Sequence, residues 1–109
     1  MQNIWDKKAS NYQRFDGSIN KFQRQVFDAL QNFGVNFSGK SLVDIGCGTG
    51  VWTLLLAKEA SHITAVDSSA GMIDILRQDA AKFSVKNVTA VQKSWQEFSC
   101  DEIYDIALT

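Results

Sequence analysis

The sequence predicts an α/β domain built on a doubly wound, mostly parallel sheet, and three observations predict it. Residues 42–50, Leu-Val-Asp-Ile-Gly-Cys-Gly-Thr-Gly, run an apolar strand through one carboxylate, Asp44, into glycines at alternate positions, Gly46, Gly48 and Gly50. A helix opens behind them at about Val51, and strand, glycine loop and helix in that order form the first unit of a nucleotide-binding sheet. A second acid, Asp67, closes another apolar run about twenty residues on, where such sheets carry a ribose-binding carboxylate. Further strand-like runs follow at roughly 88–92 and 103–108.

The first element is a helix. Ile19, Phe22, Val26, Leu30 and Phe33 recur at three- and four-residue intervals, an apolar stripe that should face the core and end near Gly34. The segment before it carries Ile4, Trp5, Tyr12 and Phe15. Aromatic residues there can simply pin the amino terminus to the core.

The strand at about 41–45 leads into the glycine loop. Without a Cβ, its backbone can turn sharply and approach a ligand closely, and Gly48, the middle glycine, is expected at the closest approach. Spacing narrows the ligand. Dinucleotide folds use GxGxxG, whereas these glycines fall as GxGxG and are followed by Val51 and bulky Trp52. The GK[ST] ending of a P-loop is absent. Cys47 lies inside the loop, where a small residue fits. The plainer alternative, a turn serving only chain reversal, needs neither three glycines nor an acid at position 44.

Residues 62–66, His-Ile-Thr-Ala-Val, suit a strand ending at Asp67. A carboxylate offers two acceptor oxygens to the two hydroxyls of a ribose. Asp67 could instead cap the next helix with Ser68 or Ser69. Met72, near the start of that amphipathic helix, fits a core position. Asn87 to Gln92 alternates as a half-buried strand and leads to Ser94 and Trp95; the fourth strand, 103–108, contains Asp105, read as structural.

From Asp44 to Gly50 the chain matches (D/E)xGxGxG without a gap, and it resembles motif I of the class I S-adenosylmethionine-dependent methyltransferases. The resemblance runs from about Trp5 to Leu108 and implies a Rossmann-like sheet. It further implies that Gly46, Cys47, Gly48 and Gly50 pack against the methionine part of S-adenosylmethionine and that Asp44 holds its amino end. Asp67, Ser69 and Met72 match the family pattern DxSxxM, which assigns the ribose to Asp67, places Ser68 beside it and lets Met72 flank the adenine. After the third strand many members carry an acid for the adenine amino group; here Ser94 stands in its place and Trp95 follows, able to stack on the base or to serve as core. In the family the amino-terminal segment often folds over the cofactor, which makes Tyr12 a candidate for the cofactor carboxylate and Trp5 and Phe15 lid side chains. The implied reaction passes a sulfonium methyl group in line to an acceptor, with proximity and orientation as the protein's main contribution. Neither the acceptor nor a catalytic base is assigned.

Composition excludes several other classes. At 109 residues the chain is one domain by the usual prior. A net charge of −1 with interspersed signs gives no polybasic patch for nucleic acid. No long apolar span and no signal peptide are seen, so a soluble cytoplasmic domain without a membrane partner is expected. Cys47 and Cys100 have neither CxxC spacing nor histidine partners, and His62 is the single histidine, so no metal is expected.

Length raises a further expectation. Four strands are found where the family's sheet has more, and the chain stops at Thr109, before the part that carries acceptor-binding groups. Residues 1–38 are read as lid and helix, and 39–109 as β1 to β4 of a sheet truncated after its fourth strand. That strand should then be open to self-association. A methyltransferase, or its cofactor-binding fragment, is the leading reading. The alternatives are a noncatalytic binding or interaction module and a nicotinamide-dependent oxidoreductase, the latter opposed by the glycine spacing.

Overall fold

The computed structural model describes residues 14–94, 96 and 104–108. The elements run α1 (Lys21–Asn32), β1 (Ser41–Ile45), α2 (Val51–Leu56), β2 (His62–Asp67), α3 (Ala70–Lys82), β3 (Val88–Gln92) and β4 (Ile106–Leu108). The four strands form one parallel sheet in the order β3-β2-β1-β4. Strand order therefore reverses between β1 and β4, the position at which such sheets open a crevice at their carboxyl ends. The expected fold class is the observed one.

Register explains the core. Leu42 pairs with Ile63 and Ile106, and Ile63 with Val88, so these four side chains form one row across the sheet. Phe15, Phe27, Phe37 and the α2 residues Leu54, Leu55 and Leu56 pack with that row in one cluster. Leu42, Leu54 and Ile63 are completely buried, and each such side chain contributes roughly 1.5–3 kcal/mol. At the opposite end of the strands from the glycine loop, Asp105 ties β4 to β1. The Ser41 N–H donates to Asp105 Oδ2 at 2.8 Å and the Asp105 N–H donates to the Ser41 carbonyl at 2.9 Å. The first of these bonds also holds the Asp105 carboxyl below the usual carboxylate range. Its role is structural.

Helix α1 forms where the sequence places it, and Ile19 and Leu30 of the expected stripe pack on the core, but the helix turns a partly different face inward. Asn20 caps it: the Gln23 N–H donates to Asn20 Oδ1 at 2.7 Å, and the Asn20 N–H donates to Gln23 Oε1 at 3.0 Å. At its other end the Gly34 N–H donates to the Gln31 carbonyl and the Val35 N–H to the Leu30 carbonyl, each at 2.9 Å, with Gly34 at φ +86°. The buried residues are Gln23 and Phe27; Phe22 and Phe33, expected inside, are 66% and 87% exposed. Two apolar stripes overlap on this helix. Phe27 decides between them by packing edge-on against Phe37 at 6.0 Å and beside Trp52 at 6.1 Å.

The segment before α1 also departs from one expectation. Phe15 is 5% exposed and meets Phe83 edge-on at 5.0 Å, beside the ends of α2 and α3 that lie away from the glycine loop. It is a core residue and no lid side chain. Next to it, the Arg14 guanidinium makes a two-pronged contact with the buried Asp79 carboxylate, Nη2 to Oδ1 at 2.6 Å and Nε to Oδ2 at 3.2 Å. A carboxylate taken out of water needs such a partner. Tyr12 and Trp5 lie outside the described residues.

Candidate functional site

The glycine loop begins tied to the neighbouring strand. The Gly46 and Cys47 N–H groups both donate to the Val66 carbonyl of β2, at 2.7 and 3.1 Å. The loop ends at Gly50, the residue that opens α2, with φ +83°. A Cβ at Gly50 would stand 2.6 Å from Cγ of Leu76, a side chain only 1% exposed, so this glycine lets α2 lie close against α3. Gly48 differs: a Cβ there would meet nothing within 4 Å.

Asp44, at the end of β1, is 8% exposed. Thr53, wholly buried on α2, donates its hydroxyl to Asp44 Oδ2 at 2.6 Å. Burial pushes the Asp44 carboxyl up, the Thr53 hydrogen bond draws it back down, and nearby Asp67 raises it again. Burial, reinforced by Asp44 and Asp67, drives the Cys47 thiol well above its ordinary range. It therefore stays protonated and is no nucleophile.

Asp67, at the end of β2, joins two elements. Its Oδ2 accepts the Gly48 N–H at 2.9 Å, and its Oδ1 accepts the Ser69 N–H at 2.9 Å. Ser69 then caps α3 by accepting the Met72 N–H at 3.2 Å. Ser68 is exposed, whereas Met72 is 3% exposed and packs with Ile75.

Two cavities open at the carboxyl ends of the strands. One, of about 280 Å³, is apolar apart from a single acid and is lined by Phe27, Trp52, Asp44, Gly46, Cys47 and Leu108 among others. The other, of about 240 Å³, is lined by Gly46, Asp67, Ser68, Lys93, Ser94 and Gln96, with Ile45 and Val66. Gly46 belongs to both. The Gly48 N–H is turned to Asp67. The arrangement suits an elongated ligand with a polar, diol-bearing end near Asp67 and a cationic end near Asp44.

Residues 42–109 match the family described as methyltransferase domain. The chain belongs to the class I S-adenosylmethionine-dependent methyltransferases. An uncharacterised protein of Haemophilus influenzae is 35% identical over 94 residues, covering 85% of this chain and 34% of that protein. A malonyl-[acyl-carrier protein] O-methyltransferase of Serratia marcescens is 36% identical over 76 residues, 67% of this chain and 30% of the relative. The chain thus spans about a third of the length of these curated relatives. Among solved structures, the complex of DhpI with S-adenosylhomocysteine superimposes with a TM-score of 0.66 at 26% identity, covering 94% of this chain and 48% of that one.

In this methyltransferase domain the structure brings Asp44, Gly46 and Cys47 together with Asp67, Ser68 and Ser94 around the two cavities, with Gly48 bonded to Asp67, while Gly50 and Met72 face neighbouring helix and core atoms. Trp95 lies outside the described residues. Sequence reasoning missed the lining residues Phe27, Trp52, Lys93 and Gln96, and it missed Thr53. The signal for Thr53 was a hydroxyl interrupting an otherwise apolar helix, nine residues beyond the acid. Among the described residues no His, Cys, Asp and Glu side chains cluster as a metal site, and no helix is long and apolar enough to cross a membrane.

Proposed function

We propose that this domain binds S-adenosylmethionine across the two cavities and is the cofactor-binding part of an enzyme that transfers its methyl group. The observation that carries the reading is the pair of cavities that Gly46 borders in common, with Asp44 lining one and Asp67 the other. Each feature fits a part of the molecule. Asp44 sits where a carboxylate would hold the ammonium group. Asp67 keeps acceptor capacity beyond its two backbone bonds, since each carboxylate oxygen has a second lone pair for a ribose hydroxyl. Gly46 and Gly48, with no atom near their missing Cβ, leave room for a ligand to lie on the backbone. Ser68, Ser94, Gln96 and Lys93 border the lobe assigned to the nucleoside; Met72, beside the adenine, and Tyr12 and Trp95 complete the proposed set.

When bound, the cofactor supplies a methyl group on a sulfonium with a thioether leaving group. The chain's own residues bind and orient it. The aromatic walls of the larger lobe, Phe27 and Trp52, give Asp44 apolar surroundings. Orientation of this kind is the main means of accelerating a transfer that needs little other chemistry.

The reading takes residues 1–109 as one domain, with 1–38 as amino-terminal segment and helix and Phe15 assigned to the core. S-adenosylmethionine is an intracellular metabolite, which supports a cytoplasmic location for the domain. Strand β4 is the outermost described strand beside β1, and a parallel edge there invites pairing with a second copy; light scattering should show association, and a strictly monomeric species would refute it. The cofactor itself is tested by calorimetric titration with S-adenosylhomocysteine and, separately, NAD. Saturable binding of the first with none of the second is expected. Binding of NAD alone, or of neither by folded protein, would overturn the assignment.

A further inference from the structure

We propose that Thr53 is a positioning residue, whose hydroxyl fixes the Asp44 carboxylate so that its other oxygen faces the ammonium group of the bound cofactor; this rests on the cofactor reading above. The geometry is specific. Thr53 Oγ1 lies 2.6 Å from Asp44 Oδ2, and Thr53 is wholly buried. A threonine inside a helix ordinarily has a local partner for its hydroxyl, the carbonyl one turn back. Here the hydroxyl bridges from α2 to β1 instead. The β-branched side chain has few rotamers, so α2, once packed, aims the hydroxyl at Oδ2 and little else.

The second oxygen of Asp44 is left for another donor. Oδ1 accepts from no described group. It is not a sealed, unpartnered atom either, and Asp44 lines the larger cavity. One oxygen is thus committed to the fold and the other is presented to the ligand, which prevents the carboxylate from rotating away. Thr53 also acts on charge: its donor favours the ionised form in a site where burial and Asp67 favour the neutral one. The titratable groups around Asp44 are Asp67 on β2 and the Cys47 thiol of the loop, and the thiol stays protonated.

The test is calorimetric binding of S-adenosylhomocysteine from mildly acidic to mildly alkaline pH, with wild type, Thr53→Val and Thr53→Ser. Valine keeps the shape and removes the donor; serine keeps the donor. Thr53→Val should bind about ten-fold more weakly at neutral pH, the scale of one hydrogen bond to a charged group. Its affinity should also fall away at a higher pH than wild type on the acid side, because loss of the donor raises the pH at which Asp44 protonates. Asp67 is common to all the proteins and cannot produce the difference. Thr53→Ser should restore both affinity and midpoint. If Thr53→Val does not fold, Thr53→Ala carries the same test and must show the same displaced midpoint. Wild-type affinity and an unmoved pH profile in the folded hydroxyl-free variant would overturn the inference while leaving the cofactor reading intact. Folded wild-type protein that takes up no S-adenosylhomocysteine would overturn both.

Discussion

The Gly48 N–H donates to Asp67 Oδ2 at 2.9 Å, so the acid that ends β2 is also the clasp of the glycine loop on β1. One carboxylate fixes the loop, supports the start of α3 through the Ser69 N–H, and borders the smaller cavity. Its replacement should therefore register in both stability and binding.

Asp67→Asn keeps one acceptor oxygen and turns an amide donor toward the other backbone N–H. Loss of that bond should lower stability by about 1–3 kcal/mol. S-adenosylhomocysteine affinity should fall roughly ten-fold or more, because a ribose hydroxyl loses a charged acceptor as well. Thermal denaturation and calorimetry on the same sample would check this. Unchanged affinity in a folded variant would reduce Asp67 to a structural clasp.

Gly50 and Gly46 should separate folding from binding. Alanine at Gly50 must adopt φ +83° at a cost of about 1–2 kcal/mol. It must also displace buried Leu76, about 1–3 kcal/mol more. Alanine at Gly46 meets no neighbour and bears only the first cost, but it adds a methyl group to a residue that borders both cavities. Gly50→Ala should melt far earlier than wild type; Gly46→Ala should fold and fail to bind. The reverse pattern would mean that the ligand does not cross Gly46.

Asp44→Asn should stabilise the ligand-free protein at neutral pH. The native state holds the Asp44 proton more tightly than the unfolded chain, because burial raises its carboxyl above the ordinary value near 3.8. Native protein then binds more protons than unfolded protein between those two values. Stability must therefore fall as pH rises through that window and stay lower above it. Asparagine mimics the protonated form, and its amide oxygen can still accept from Thr53. Melting curves should show the variant ahead at pH 7 and level with wild type in strong acid, while S-adenosylhomocysteine binding is lost. A variant less stable than wild type at pH 7 would show that ionised Asp44 supports the fold.

Ser84→Gly should raise stability by about 1 kcal/mol. Ser84 follows the end of α3 at φ +56°, where its N–H donates to the Ala81 carbonyl and the Val85 N–H donates to the Ala80 carbonyl. That is the left-handed helix-terminating turn that glycine takes at Gly34 after α1. The side chain is exposed, so little packing is lost with it. Denaturant titration would detect the shift, and a neutral or negative result would show that the serine hydroxyl holds the turn.

Elements whose signals are local could be read directly from the chain. The strands at 41–45, 62–67 and 88–92, the helix opening at Val51 and the stop at Gly34 all coincide with the structure. Alternation, glycine spacing and end signals act between residues a few positions apart. The helical stripe of α1 was less legible. Phe22 and Phe27 are equally apolar, and their burial depends on which face the helix turns to Phe37 and Trp52. Gly46 and Gly48 were likewise indistinguishable on the page, since both fit a loop that needs freedom from a Cβ.

By itself the sequence determined the order of strands and helices, the loop between β1 and α2, the two acids at the strand ends and the family to which they belong. The elements, the loop and the acids follow from side-chain period or backbone freedom within a short stretch, whereas the family follows from the resemblance of the Asp44–Gly50 motif and the match over residues 42–109. Only the tertiary structure decided that Thr53 bonds Asp44, that Arg14 neutralises Asp79 sixty-five residues away, that Asp67 clasps Gly48, and that Gly46 borders both cavities. Such contacts depend on the angle and depth at which helices dock on the sheet, and packing of the whole core sets those quantities rather than any local pattern.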